Sequence, residues 1–156
     1  MKIDIRHADQ RHIADCINIL QNSEIGTIYF ANYEKAFDLL STALMQQKLF
    51  VALSPDDACL GFMYYMSNGV FGSYPYLHLL AVKKEYRGLG IGKQLIAYFE
   101  KNSSHYPSTK CFLTVDDFNV RAKKLYEDLG YQCVGTLPDF YKAGITSYIM
   151  MKATTR

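Results

Sequence analysis

The chain opens on a short alternation, Lys2-Ile-Asp-Ile-Arg6, in which every second residue is apolar, the period of a strand with one wet face. The period then lengthens. Ile13, Cys16, Ile17 and Leu20 stand at i, i+3, i+4 and i+7 behind Asp9, whose carboxylate suits an N-cap, and this predicts an amphipathic helix. Gln21 to Ala31 shows no regular period and is a candidate lining for a substrate site. Tyr33, Phe37, Leu40 and Leu44 then predict a second helix. Leu49 to Ser54 and Ala58 to Met66 read as two strands of a hairpin around the turn Ser54-Pro-Asp-Asp57. Tyr74 to Val82 is apolar at odd and even positions alike, the pattern of a central strand covered on both faces.

A third helix is predicted through Ile91, Leu95, Ile96 and Phe99, ending before Ser103-Ser104, with a strand after it at Lys110 to Val115. Asp116-Asp-Phe-Asn119 then supplies capping residues for a helix carrying Ala122, Leu125, Tyr126 and Leu129 on one face and stopped by Gly130. Tyr131 to Gly135 and Ile145 to Lys152 are the last two strands. Seven strands and four helices in alternation, with no internal repeat, predict an α/β fold of mixed strand direction. At 156 residues the chain is read as one domain, residues 1–156.

Composition narrows the function classes. With 49% hydrophobic and 21% charged residues and 4 prolines, the chain is globular rather than disordered. A net charge of +2, from Lys and Arg scattered along the chain, offers no basic face for nucleic acid. No apolar run is long enough for a membrane span, and Met-Lys-Ile-Asp-Ile-Arg has no secretory h-region, so a cytoplasmic protein is expected. Cys16, Cys59, Cys111 and Cys133 are far apart and fall in apolar segments, so all four are expected in the core. They do not cluster with His7, His12, His78 or His105, and no metal is expected.

The candidate chemistry lies where the strand Leu80-Ala-Val82 empties into Arg87-Gly-Leu-Gly-Ile-Gly-Lys93 and a helix begins. Free N–H groups at a helix start hold anions, glycines let the backbone come close, and an arginine can grip a phosphate oxygen. The dinucleotide fingerprint would need Gly at 93, which is Lys93. A P-loop anchored on Gly92-Lys93 would need Gly at 87 and Ser or Thr at 94, which are Arg87 and Gln94.

Arg87-Gly-x-Gly90-x-Gly92 behind Leu80-Ala-Val82 resembles the acyl-CoA-binding motif of the GCN5-related N-acetyltransferase (GNAT) superfamily. A second stretch, Asn119-Val-Arg-Ala-Lys-Lys-Leu-Tyr126 followed by Gly130-Tyr131, is similar to that family's later signature. The resemblance implies a mixed, mostly antiparallel sheet of about seven strands with a bulged central strand, flanked by about four helices. It implies acetyl-CoA as the acyl donor, held by the backbone of Leu80, Ala81 and Val82, by Arg87, Gly88, Leu89, Gly90, Ile91, Gly92 and Lys93, and by Asn119 and Tyr126. The reaction it implies moves an acetyl group to a primary amine of a small molecule, peptide or protein by direct attack through a tetrahedral intermediate.

Tyr126 would then supply the departing thiolate's proton, as general acid. His78 is the candidate base, with Tyr76 and water as alternatives. The wording Tyr-Leu-His-Leu-Leu-Ala-Val is similar to arylalkylamine N-acetyltransferases, which carry a second His where this chain has Tyr76. Glu24, Tyr29, Tyr33 and Tyr141 are candidates for an aromatic, mildly acidic acceptor pocket. Core packing is the competing reading of Tyr126 and His78, and a cap that of Asn119. The competing class is an acyl-CoA-binding regulatory or interaction module without catalysis. The tyrosine-rich surface permits a homodimer.

Overall fold

The structure, a computed structural model, describes residues 1–103 and 110–154, so His105 lies outside the described residues. Seven strands form one mixed sheet in the order β1-β2-β3-β4-β5-β7-β6. They are β1 (Asp4–His7), β2 (Leu49–Leu53), β3 (Cys59–Val70), β4 (Tyr74–Val82), β5 (Lys110–Asp116), β6 (Gln132–Leu137) and β7 (Ser147–Ala153). The helices are α1 (Ile13–Gln21), α2 (Glu24–Tyr29), α3 (Tyr33–Met45), α4 (Ile91–Ser103) and α5 (Val120–Asp128). The chain folds as two compact units, Met1–Tyr65 with Leu79–Phe99, and Met66–His78 with the chain from Glu100 onward.

In the first unit, β1 and β3 flank β2 antiparallel, and all five residues of β2 are buried. Asp9 caps as expected. Its carboxylate accepts from Arg11 N at 2.9 Å at the head of a single 3-10 turn that runs into α1. The Arg11 side chain adds further bonds and holds the Asp9 carboxyl down at about 2. Ile13, Cys16, Ile17 and Leu20 of α1 are buried as their spacing requires, and so are Ile91, Leu95, Ile96 and Phe99 of α4. Phe50 stacks on Tyr65 at 4.7 Å, and Tyr65 meets Phe99 at 5.2 Å, so aromatic packing joins sheet to helix.

Two expectations for this unit change. The segment from Gln21 to Ala31 contains a helix, α2, capped by the Ser23 hydroxyl on Gly26 N at 3.0 Å. Gly26 is there for space. A Cβ on it would lie 1.7 Å from the carbonyl oxygen of Leu20, the end of α1. The stripe on α3 is also rotated: Ala36, Leu40 and Ala43 are buried, whereas Tyr33 and Phe37 stack on each other on the exposed side. Small alanines admit close packing, and the larger rings are left outside.

In the second unit, β5 and β7 pair antiparallel over seven residues, from Lys110↔Ala153 to Asp116↔Ser147. β4 runs parallel to β5, with Tyr76 opposite Phe112 and Leu77 opposite Leu113. A half-buried ion pair closes this unit: Lys152 Nζ lies 2.9 Å from a Glu100 carboxylate oxygen, and the Tyr131 hydroxyl donates to the other at 3.0 Å. β6 is the edge strand and its side chains are mostly exposed. Cys133 lies on it and is exposed, against the expectation that all four cysteines are core, while Cys16, Cys59 and Cys111 are buried.

β3 runs to Val70, beyond the expected end at Met66, and turns through Phe71 and Gly72, both at positive φ, into β4. The expectation for β4 itself is corrected on one face. Pro75, Leu77, Leu79 and Ala81 are buried, but Tyr74, Tyr76, His78, Leu80 and Val82 are only half-buried. The protein covers one side of this strand and leaves the other partly open.

Candidate active site

The glycine-rich turn belongs to the first unit and follows directly from how β4 ends. Lys83 N donates to Leu60 O at 2.8 Å, so the last residues of β4 are held against β3. Gly61 of β3 makes the approach close: a Cβ there would come within 2.9 Å of Ala81 O and 3.3 Å of the Val82 Cα. A single 3-10 turn, Lys84–Tyr86, then carries the chain to Arg87. The Arg87 Nε donates to Val82 O at 3.0 Å and one terminal nitrogen to Asn22 O at 3.4 Å. Much of this guanidinium therefore fastens the turn to the strand that precedes it, a role the sequence did not disclose.

Gly88 and Gly90 have φ of +80° and +84°, and neither would bring a Cβ within 4 Å of another group. These glycines are required by conformation, whereas Gly61 is required by space. Alternation of left-handed and ordinary residues turns successive N–H groups toward one side, the arrangement of an anion nest. Gln94 N bonds Gly90 O at 3.1 Å, which makes Gly90 the cap of α4 and leaves the amides of Ile91, Gly92 and Lys93 ahead of the first intrahelical bond. A 13-residue helix adds positive potential at this end. The residues present thus suit a diphosphate.

The other candidate residues lie in the second unit. Asn119 caps α5, its Oδ1 accepting from Ala122 N at 3.4 Å. Tyr126 lies on the buried face of α5, edge-on to Tyr131 with ring centroids 6.0 Å apart. Burial pushes its phenol up to about 12, so the hydroxyl stays protonated at neutral pH. His78 is half-buried and packs against Tyr76 with centroids 5.7 Å apart. Burial lowers its pKa from 6.5, which keeps the imidazole neutral at physiological pH.

Tyr76 is a different kind of group from His78. Its hydroxyl lies 2.9 Å from the Thr114 hydroxyl and 3.5 Å from that of Tyr141. Burial first, and then the neighbouring Tyr141, drive its pKa far above the ordinary phenol range. As a phenolate base at neutral pH it is therefore poorly placed. Thr114 was not singled out in the sequence, because alternation on β5 gives its face but not the strand that supplies its partner.

Of the candidate acceptor residues, Glu24 and Tyr29 share α2, with Tyr29 edge-on to Phe30, and Tyr33 begins α3. Tyr141 stands in the β6–β7 loop, next to Phe140 at 4.7 Å. That loop is pinned at its base, where Thr146 N donates to Asp117 at 3.1 Å, and within, where Gly144 N donates to Asp139 at 2.6 Å.

The family model described as an acetyltransferase (GNAT) domain matches residues 21–154. The chain belongs to the GNAT acetyltransferase family. Among curated proteins, this GNAT domain is 38% identical over 76 residues to an uncharacterized N-acetyltransferase of Methanocaldococcus jannaschii, an alignment covering 47% of each chain. The match thus spans about half the length of that relative. Among solved structures, an acetyltransferase of the GNAT family from Bacillus cereus superposes with a TM-score of 0.79 at 17% identity, covering 100% of both chains. Ard1 from Thermoplasma volcanium superposes with a TM-score of 0.81 at 19% identity, again over 100% of both. At these identities the GNAT neighbours establish the fold alone, which among the described residues is a mixed seven-stranded sheet with five α-helices.

Proposed function

We propose that this GNAT domain is an N-acetyltransferase that uses acetyl-CoA to acetylate a primary amine. The observation that carries the reading is the turn from Arg87 to Lys93, with two glycines at positive φ and three helix-start amides. When bound, acetyl-CoA would supply an activated acetyl thioester. Gly88, Gly90, Ile91, Gly92 and Lys93 would bind the diphosphate through backbone N–H groups, with Arg87 keeping the turn in shape from Val82 O. The Leu80 to Val82 backbone would lie along the acyl arm, and Asn119 would add a side-chain contact while capping α5.

Amine acetylation needs a neutral nitrogen, and a lysine-like amine, with a pKa of about 10.4, arrives protonated. That first proton goes to water before attack. His78, neutral by burial, is the group that takes the second proton, which the nitrogen releases as the C–N bond forms, at an imidazole nitrogen, directly or through water. Tyr126 faces the opposite task. Full proton transfer from a phenol near 12 to a thiolate near about 8.5 climbs about 5 kcal/mol, so its hydroxyl keeps the proton and donates a hydrogen bond to the departing sulfur. The acceptor can be a small molecule, a peptide or a protein. Glu24, Tyr29, Tyr33 and Tyr141 are the residues proposed to meet it, rings and a carboxylate suiting a cationic amine.

The test is calorimetric titration with acetyl-CoA, with ATP and NAD as controls, followed by a thiol-release screen over an amine panel. Selective micromolar binding with thiol release in the presence of an amine is the expected result. Binding without release with any amine would favour a non-catalytic acyl-CoA-binding module. Absence of binding would overturn the reading.

A further inference from the structure

We propose that Thr114 is a positioning residue for amine acetylation, acting through the Tyr76 hydroxyl, and that this hydroxyl contacts the acceptor rather than carrying its proton. The proposal rests on the acetyltransferase reading above. It starts from strand geometry. Tyr76 pairs with Phe112 in the parallel β4–β5 ladder, so Thr114, two residues on, is its diagonal neighbour on the same face. A long tyrosine side chain spans that diagonal, and the two hydroxyls meet at 2.9 Å.

Both strands alternate so that this face is the half-buried one: Tyr74, Tyr76 and His78 on β4, and Phe112, Thr114 and Asp116 on β5. Thr114 is held in turn by its β7 partner, Ile149, in an unbroken antiparallel ladder. A β-branched side chain on a paired strand has little rotameric freedom, so its hydroxyl is a rigid anchor. Tyr76 has the reach and Thr114 has the rigidity. Tyr141, its hydroxyl 3.5 Å from that of Tyr76, comes from a loop and is half exposed.

A half-buried phenol that stays protonated can donate one hydrogen bond and accept others, which is useful for orienting a polar acceptor but not for removing a proton. The ring of Tyr76 also packs against His78, so fixing it narrows the positions the imidazole can adopt. Loss of the anchor should therefore weaken acceptor handling and leave acetyl-CoA binding alone.

The experiment compares wild type, Thr114→Val, Thr114→Ser, Tyr76→Phe and the Thr114→Val/Tyr76→Phe double variant, using the best amine from the panel. Thr114→Val should lower kcat/KM for the amine about tenfold, the worth of one hydrogen bond of about 1.4 kcal/mol, with Thr114→Ser restoring most of it. The double variant should be no worse than Tyr76→Phe alone, because the two residues act as one unit. Tyrosine labelled at Cζ gives a readout independent of turnover: the resonance lost in Tyr76→Phe should shift in Thr114→Val and return toward its place in Thr114→Ser. Losses that add in the double variant, or a Tyr76 resonance unmoved by Thr114→Val, would overturn the role of Thr114. A wild-type protein that binds acetyl-CoA but acetylates no amine would overturn the acetyltransferase reading, and this proposal with it.

Discussion

An imidazole partly withdrawn from water, as His78 is, gives up its proton more readily than one in solution. Its folded-state pKa lies below 6.5, so the acid limb of the kcat/KM profile should fall at a pH under 6.5. In His78→Gln that limb should vanish, and a variant profile superimposable on wild type would return His78 to simple packing. The same depression has a stability consequence with a definite sign. As pH drops below about 6.5 the unfolded chain protonates first, so stability declines until the folded-state value is passed and then levels off. Denaturant midpoints of His78→Gln should accordingly vary less with pH over that window than those of wild type. For Tyr126, a hydrogen bond to a charged sulfur is worth about 1.5–3 kcal/mol. Tyr126→Phe should then lower kcat roughly 10- to 100-fold while the calorimetric affinity for acetyl-CoA holds. Turnover equal to wild type would confine Tyr126 to its place against Tyr131.

At the scale of elements, two glycine substitutions should separate space from conformation. Alanine in place of a helical glycine ordinarily stabilises by about 1 kcal/mol. Gly26→Ala should do the reverse, lowering the melting temperature, because its Cβ would overlap the Leu20 carbonyl at 1.7 Å and drive α2 away from the end of α1. Gly90→Ala meets no neighbour, but its φ of +84° would cost an alanine about 1–2 kcal/mol, so the turn should relax and acetyl-CoA affinity should fall. Titration calorimetry and thermal melts on the two variants check both signs. These positions also show what the sequence made legible. The helices α1 and α4 were readable because Ile13 and Ile17, and Ile91 and Leu95, repeat at the helical period and are buried, and α5 because Ala122 and Tyr126 repeat at the same spacing with Tyr126 buried. The spacing of Gly88, Gly90 and Gly92 could likewise be read as an anion turn. α2 escaped because six residues with a glycine inside are too short to show a period, although Ser23 stood at its start as a cap. The reach of β3 past Met66 escaped because Ser67-Asn-Gly69 has no apolar alternation, and Gly69 is there to clear the Tyr76 Cβ, which a Cβ of its own would approach to 2.7 Å. Contacts such as Arg87 to Val82 O and Tyr76 to Thr114 depend on which strands become neighbours. Periodicity along one segment does not carry that information.

For the molecule as a whole, no helix among the described residues is long and apolar enough to cross a membrane. A ligand that binds only the folded state adds RT ln(1 + [L]/Kd) to its stability, about 2.7 kcal/mol at a hundredfold excess over Kd. In a domain of about 150 residues each kcal/mol moves the melting temperature by about 2–4 °C, so saturating acetyl-CoA should raise it by roughly 5–11 °C. The glycine turn lies between β4 and α4, both of whose flanking residues, Ala81 and Ile91, are buried, so binding there should resist global unfolding rather than merely order a loop. ATP and NAD at the same concentration should produce little shift, since the turn lacks the features of a P-loop or dinucleotide site. An equal shift with all three would show a generic anion nest and leave acyl-CoA without special claim. A large shift with acetyl-CoA alone, much reduced in Gly90→Ala, would tie the whole-molecule effect to the residues from which the function was argued.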